Sequence, residues 1–445
     1  MSDVEGRHAL VVGLGSSGSA AARVLIAAGA RVRVSESRDD VEGLAELRAL
    51  GVEVFTGGHE PSHLDGIDLA VASPGVFEAA PILTWATDRS IPIWSELELG
   101  ARLCTAPYVA VTGTNGKTTT TDMLASVMRA SGMDAIACGN IGHPFSLAAG
   151  EGHDALAVEA SSFQLRFQES FHPRVSVLLN LAEDHLDWHG SYEAYADAKA
   201  RIFARQSADD VHIGNAEDIG AAAISREAPC RTWWFRLGEP GEGEVGYVGG
   251  RLVARIDGEI TIGRLRSTNA GFRADAAAAA AAALSFGVAG GAVAEGIMAA
   301  QPLPHRGQVV ATKEGVAFVD DSKATNPHAT LAGLDGRTDV VLIAGGLSKG
   351  VDLSPLAAAA PHLKGVVAIG EAASEIAEIF EGAVPVRKAD SMQEAVRTAF
   401  ELVGDSGTVM LAPACASQDM FMDYKDRGER FTHAAVSLAE GGARG

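Results

Sequence analysis

Residues 112–119 read Thr112-Gly113-Thr114-Asn115-Gly116-Lys117-Thr118-Thr119 and directly follow the apolar run Tyr108-Val109-Ala110-Val111. A β-branched run, a Gly-rich turn and a helix-compatible segment, in that order, restrict this stretch to strand, phosphate loop and helix. Gly113 and Gly116 let backbone N–H groups close round a polyphosphate. Lys117 adds a point charge at the β and γ oxygens, and the Thr118 hydroxyl suits Mg²⁺. The loop is shorter than the common G-x-x-x-x-G-K-[ST] form, because Val111 stands where the first glycine of that form falls. A chance Gly-Lys-Thr turn is the bland alternative, and the flanking strand and helix argue against it. ATP is therefore the expected ligand, held by Gly113, Thr114, Asn115, Gly116, Lys117, Thr118 and Thr119.

A chain of 445 residues exceeds what one core supports, so two or three domains are expected. The formal charge of −21 disfavours a nucleic-acid backbone as partner. Cys104, Cys138, Cys230 and Cys415 are widely spaced, with neither a metal-cluster pattern nor a disulfide framework. The opening Met-Ser-Asp-Val-Glu lacks a basic n-region, and the apolar run Ala276–Leu284 is too short to span a bilayer. A cytoplasmic monomer without a membrane span is expected.

Three segments each open with strand, turn and helix. The first has the strand His8–Val12, the turn Gly13-Leu14-Gly15-Ser16-Ser17-Gly18, a helix over 19–28 and a second strand over 30–35; later strands fall at Leu69–Ala72 and 91–94. The second begins at the phosphate loop, after Pro107, with strands at Ala155–Glu159 and 175–180 and a helix over 191–205. Residues 230–265 alternate and are Gly-rich, which predicts small β-hairpins beside the main sheet. The alanine-rich 274–284 reads as helix. Pro302 and Pro304 mark the next boundary and a candidate hinge, after which strands are expected at 316–319, 340–344, 366–369 and 408–412. Strands alternating with helices imply α/β segments with parallel sheets covered on both faces. The domains expected are 1–106, 107–302 and 303–445.

The G-x-G-x-x-G at Gly13–Gly18 is weak alone. With Glu36 near the end of the second strand it fits a dinucleotide fold, while Ser73-Pro74-Gly75 supplies a second strand-end turn for the same nucleotide-bearing ligand. Glu159 ends a buried-looking strand and is placed for Mg²⁺. His185 lies in the polar turn Glu183-Asp184-His185-Leu186-Asp187, some of whose acids would simply cap the next helix. Lys199, among aromatic neighbours, reads from its residues alone as a surface lysine lying along apolar groups. The turn Asp320-Asp321-Ser322-Lys323-Ala324-Thr325-Asn326 is denser in polar groups than a connection needs. With Gly345–Gly350, which carries Lys349, and Pro413–Ser417, it would make a carboxylate pocket.

Taken in order, TGTNGKTT, Glu159-Ala160-Ser161-Ser162-Phe163-Gln164, Asp184-His185, Pro304-His305-Arg306, Asp321–Asn326 and Pro413–Ser417 resemble the motif series of the Mur ligases, over nearly the whole chain. The Ser73-Pro74-Gly75 turn, DSKATN and APACAS resemble the D-glutamate-adding branch. The resemblance implies three domains: a Rossmann-like N-terminal domain for a UDP-substrate, a central P-loop ATPase-type domain, and a Rossmann-like C-terminal domain bringing the amino acid. It implies an ATP-dependent amide ligase of peptidoglycan precursor synthesis, with UDP-N-acetylmuramoyl-L-alanine and D-glutamate as substrates. Gly15, Ser16, Ser37, Arg38 and Ser73 would line the UDP pocket, with Asn140 and Gln164 near the sugar or peptide. Lys117, Thr118, Glu159 and His185 would hold phosphates and Mg²⁺. Lys199 matches the lysine that the family carbamylates, whose anionic carbamate serves a second Mg²⁺. Asp321 would meet the ATP ribose and Arg306 the transferred phosphoryl group. Lys349, Thr325 and Ser417 would hold the glutamate carboxylates, with Lys323 and Tyr424 close by.

The chain departs from the family pattern at three places. Asp275 stands where an Asn approaches adenine, Gln418 and Tyr424 stand where apolar or aromatic residues are common, and Glu36 replaces the commoner Asp. Rival readings are another amide ligase of the superfamily, including the folate polyglutamate type, an NAD-dependent oxidoreductase using Gly13–Gly18, and a nucleotide-binding regulator without turnover.

Overall fold

The computed structural model describes residues 3–441 other than 257 and 268. They divide into two compact units. One holds the chain up to Leu181 together with Glu193–Arg266 and Ala274–Ala300; the other holds Ala182–Tyr192, Ser267–Arg273 and the chain from Gln301 onward.

In the first unit, the N-terminal sheet runs in the order Glu53–Phe55, Arg31–Ser35, His8–Val12, Leu69–Ala72, Ile93–Ser95, all parallel. The order reverses at His8–Val12, where Ala9 pairs with Val32 on one side and Leu69 on the other. Such a switch point leaves a crevice at the strand C-termini, which is where the Gly13–Gly18 and Ser73–Gly75 turns lie. Alternation places Val11 and Val71 in a core on one face and Leu10, Val12 and Ala70 on the other.

The second sheet of this unit has the order Glu259–Gly263, Arg251–Arg255, Glu244–Val248, Arg231–Phe235, Val211–Asn215, Val175–Leu178, Tyr108–Thr112, Ala155–Glu159, Ala135–Gly139. The small hairpins expected here are present as two antiparallel pairs over 244–263, and they extend the edge of the main sheet itself. The join is the parallel pairing of Trp234 with Glu244 and Phe235 with Val245, after which the last two pairs turn antiparallel. Tyr108–Thr112 lies between Ala155–Glu159 and Val175–Leu178 and is buried along its whole length. Burying each such Val is worth roughly 1.5–3 kcal/mol, so the phosphate loop starts from a firm base. Helix Lys117–Ala130 follows it. Helix Gly290–Ala299 meets that helix where Gly296 lies so close to Val127 that any Cβ would collide. The alanine run is helical within Ala270–Phe286, and Ala276–Ala283 are fully buried.

The second unit carries a sheet in the order Gln308–Lys313, Val316–Asp320, Gly407–Leu411, Val340–Gly345, Leu363–Ile369, Val386–Ala389, parallel except for its first pair. Val341 and Ile343 face one core, Leu342 and Ala344 the other. The chain then closes with helix Tyr424–Glu440.

Candidate active site

The phosphate loop is built as its residues require. Gly113 has φ +153° and Gly116 +86°, both in the positive range that favours glycine. A Cβ at Gly113 would press on Leu179, and one at Gly116 would run into Asp275 Oδ1. Asn180 clamps the loop: its Oδ1 accepts from Asn115 N at 2.8 Å and its Nδ2 donates to Asn115 O at 3.1 Å. The Thr114 hydroxyl meets Tyr195 Oη at 3.0 Å. Lys117 Nζ folds back to donate to the carbonyls of Gly113 and Thr114, each at 2.9 Å. Thr118 lies in the first turn of the helix, where backbone N–H groups of the loop gather, and Thr119 is buried with its hydroxyl lacking a partner.

Lys199 corrects the surface reading. Only 1 % of it is exposed; its ammonium donates to Gly113 O at 2.8 Å and stands 4.6 Å from the Tyr195 ring centre. The helix Tyr192–Ala200 carries it inward because Tyr195, Ala196 and Ala198 are buried alongside.

Glu159 ends its strand 2 % exposed. Asn140 Nδ2 donates to its Oε1 at 3.0 Å, while buried Oε2 lacks a hydrogen-bond partner. A buried carboxylate oxygen left over at a strand end is the donor that a hard divalent cation takes, so the residues present fit Mg²⁺. Gln164 is fully buried: its Oε1 accepts from Ser161 N and Oγ, capping its own helix, and its Nε2 donates to Glu96 at 3.4 Å.

In the N-terminal sheet, Gly13 has φ +82°, and the Ser73 hydroxyl donates to Gly13 O at 2.7 Å, tying the two strand-end turns together. Any Cβ at Gly18 would strike Gly13 O, which is the close helix–strand approach its position demands. Gly15 precedes helix Ser16–Ala27 as its N-cap. The Glu36 carboxylate accepts from Leu14 N at 2.6 Å, from Arg38 N and from the Arg38 guanidinium, and Ser37 Oγ lies 3.3 Å away. Burial works to raise its pKa, but the hydrogen bonds from Arg38 and Leu14 hold it down at about 2. Glu36 thus organises the turn from within, which removes the ribose acceptor on which the dinucleotide reading relied.

The second unit brings its own group together. Asp184, 5 % exposed, accepts from Lys349 Nζ at 2.5 Å, from Asn326 Nδ2 at 3.2 Å and from His185 N at 3.0 Å. Burial pushes its carboxyl up, and the Lys349 ammonium with His185 and Asn326 overcomes that and keeps it below the usual range. Both His185 (φ +55°) and Lys349 (φ +57°) sit in the left-handed region, a strained setting that clusters at functional sites. The His185 ring is 3.7 Å from Asp184.

Three strand-end turns interlock through backbone bonds: Ala414 N to Ala324 O, and a reciprocal pair between Leu347 and Ala416. Ser417 is buried, with Gln418 Oε1 accepting from its N–H; Thr325 N donates to Lys323 O, and Lys323 Nζ stands 3.9 Å from the Tyr424 ring centre. Burial pushes the Asp321 carboxyl up to about 7, restrained by the charge of Arg306 and reinforced by Asp320. Asp320 itself is paired with His305 at 2.6 Å.

Sequence reading missed Asn180, Tyr195 and Arg427 as builders of these turns. Arg427 is the only arginine among the described residues that is fully buried, and a charged residue in an amphipathic helix gives no hint of that. Asn180 had a signal, since it lies at a strand end opposite the loop.

Known proteins resemble this chain over nearly its whole length. The Mur ligase MurD-like N-terminal domain matches residues 7–95, the Mur ligase middle domain 111–243 and the Mur ligase glutamate ligase domain 305–415. The UDP-N-acetylmuramoylalanine–D-glutamate ligase of Frankia casuarinae is 44 % identical, covering 98 % of this chain and 95 % of its own; that of Streptomyces coelicolor is 41 % identical, covering 98 % and 99 %. Among solved structures, MurF ligase from Thermotoga maritima in complex with ADP aligns with a TM-score of 0.61 at 19 % identity over 99 % of this chain and 96 % of that one, a likeness of fold. With three domain matches in order and relatives alike from end to end, the chain belongs to the Mur ligase family.

Proposed function

We propose that this chain is an ATP-dependent ligase, acting as a cytoplasmic monomer, that joins D-glutamate to UDP-N-acetylmuramoyl-L-alanine through an acyl phosphate. The observation that carries the reading is a complete phosphate loop at the switch point of the second sheet, in a chain alike over 98 % of its length to D-glutamate ligases. The division into 1–106, 107–302 and 303–445 belongs to the same proposal and gives every domain a sheet of its own.

A free carboxylate is a poor acyl donor. Transfer of the ATP γ-phosphoryl group to it makes a good leaving group, and the amine of D-glutamate then attacks, releasing phosphate through a tetrahedral intermediate. Lys117, now resting on Gly113 and Thr114 carbonyls, turns to the phosphates when they enter. Loop N–H groups and Arg306 offset the charge spread over the transferring oxygens. Asp321 holds the ATP ribose. Glu159 and Thr118, with His185, would hold Mg²⁺, which when bound supplies charge neutralisation on the phosphates. Lys199 is the site for carbamylation serving a second Mg²⁺: it is buried beside the loop, and conversion to a carbamate replaces a cation with an anion there. His185 accepts the proton that the attacking amine loses, or serves the metal alone. The turns of Gly15, Ser16, Ser37, Arg38 and Ser73 take the UDP group, with Asn140 and Gln164 toward the sugar or peptide. Lys349, Thr325 and Ser417 take the glutamate carboxylates, with Lys323 and Tyr424 beside them.

The test is phosphate release from ATP with UDP-N-acetylmuramoyl-L-alanine, Mg²⁺ and D-glutamate, L-glutamate, L-alanine or meso-diaminopimelate in turn. Release only with D-glutamate, and a product heavier by one glutamyl residue, is the expected result. Release with another amino acid overturns the substrate assignment and keeps the reaction type. Mass analysis of intact protein with and without bicarbonate tests Lys199.

A further inference from the structure

Arg427 lies in helix Tyr424–Glu440, is 0 % exposed and heads the largest fully buried side chains of the described residues. Its guanidinium has no carboxylate within hydrogen-bond reach among the described residues. Instead Nε donates to Ser322 Oγ at 3.0 Å and Nη2 to Ser322 O at 2.9 Å, while Nη1 donates to Cys415 O at 3.0 Å and Ala416 O at 3.2 Å. Ser322 Oγ in turn donates to Tyr424 O at 2.8 Å, closing the loop back on the helix that carries Arg427. Burying an arginine without an anion is costly. A packing role would be met by an apolar side chain at no such cost, so four directed bonds to two separate turns need another explanation.

Those two turns are the ones that carry Lys323 and Thr325 on one side and Ser417 on the other. A planar, rigid fork is suited to fixing the spacing between two sets of carbonyls, and Asp320, the nearest carboxylate of this turn, hydrogen-bonds His305 and Ser322 N rather than the guanidinium. We infer that Arg427 is a positioning residue for the amino-acid substrate: it clamps the Ser322–Thr325 and Cys415–Ser417 turns at the separation a dicarboxylate needs. The inference rests on the reading above of these turns as the glutamate site.

Arg427→Lys keeps the charge but offers its donors from one point, so it cannot span Ser322 and Ala416 together. Hydrogen exchange on the substrate-free protein, compared with wild type, should show faster exchange confined to 322–326 and 415–417. Steady-state kinetics on the folded variant should show KM for D-glutamate raised about tenfold or more, with KM for ATP within about twofold. In Arg427→Ala, added guanidinium should recover part of the loss. Faster exchange across the whole third sheet, equal rises in both KM values, or a fall in kcat and Tm alone would overturn the clamp. Should neither arginine variant fold, Ser322→Ala removes one acceptor without stranding a charge; it should show the same split at about threefold, and an unchanged KM for D-glutamate overturns the inference. Failure of wild type to use D-glutamate refutes the functional reading, while the exchange result still decides whether Arg427 holds the turns.

Discussion

The phosphate loop and the strand-end turns of the third sheet both gather lysines and backbone N–H groups, yet they are held in different ways. The loop is one continuous stretch. Its own Lys117, and Lys199 brought in by helix Tyr192–Ala200, both donate to loop carbonyls, Gly113 O above all. Backbone carbonyls are weak partners for a cation compared with an incoming phosphate, so the loop holds its charge in readiness. The turns of the third sheet come from three separated segments. There Lys349 is committed to a buried carboxylate, Asp184, and the scaffold depends on a remote helix through Arg427. A ligand carboxylate must compete with Asp184 for Lys349, whereas a phosphate would displace, among the contacts of Lys117, the carbonyls of Gly113 and Thr114. The first region owes its shape chiefly to its own glycines and helix start, with Asn180, Tyr195 and Lys199 bracing it from outside, while the second is assembled wholly from separated segments.

If this contrast holds, Lys117→Met is the most damaging change. Loss of a preorganised charge at the phosphoryl group should cut phosphate release about 10²–10³-fold, with the fold intact by thermal unfolding. A milder loss would mean that Lys199 or Arg306 substitutes for it. Lys349→Met should act on the other region only, raising KM for D-glutamate about 10-fold to 100-fold because a charged hydrogen bond is lost, with KM for ATP unchanged. It also strands Asp184, so a variant with Asp184→Asn in the same chain should be more stable than Lys349→Met alone; equal stabilities would break the account of the pair.

Acid sensitivity should belong to the unit that carries the phosphate loop. His212, fully buried between Ser176 Oγ and Ser225 Oγ, has its pKa pushed down to about 3 by burial. Its unfolded value is near 6.5, so below that pH the unfolded chain binds the extra proton. Stability is complete above about 6.5 and falls as pH drops toward 3, by at most about 1.4 kcal/mol per pH unit. Urea midpoints at pH 7.5 and 5 should separate by less in His212→Gln than in wild type. The smallest effect is expected from Asp275, whose carboxylate lies against Gly116. Asp275→Asn removes a negative charge from beside the triphosphate and should lower KM for ATP about threefold; a rise would show that the carboxylate contributes a contact instead.

The strands His8–Val12, Leu69–Ala72 and Ala155–Glu159 follow the boundaries read from hydrophobic pattern, and the phosphate loop follows its own residues. Local chemistry suffices there: a glycine with positive φ, a lysine and a hydroxyl within eight residues already specify what they bind. The strands between 231 and 263 were legible as strands but not as members of the main sheet, because the Trp234–Glu244 pairing that joins them is a long-range choice. Sequence pattern also left Lys199 at the surface, since the amphipathic rule assigns a lone lysine to water. Packing of Tyr195 and the carbonyl of Gly113 decided otherwise. The same reason hid Arg427. Motifs within one segment are dictated by neighbours along the chain. The burial of Lys199 and Arg427 against backbone carbonyls, and the spacing of turns drawn from 322, 347 and 415, depend on which distant groups the folded chain brings within reach.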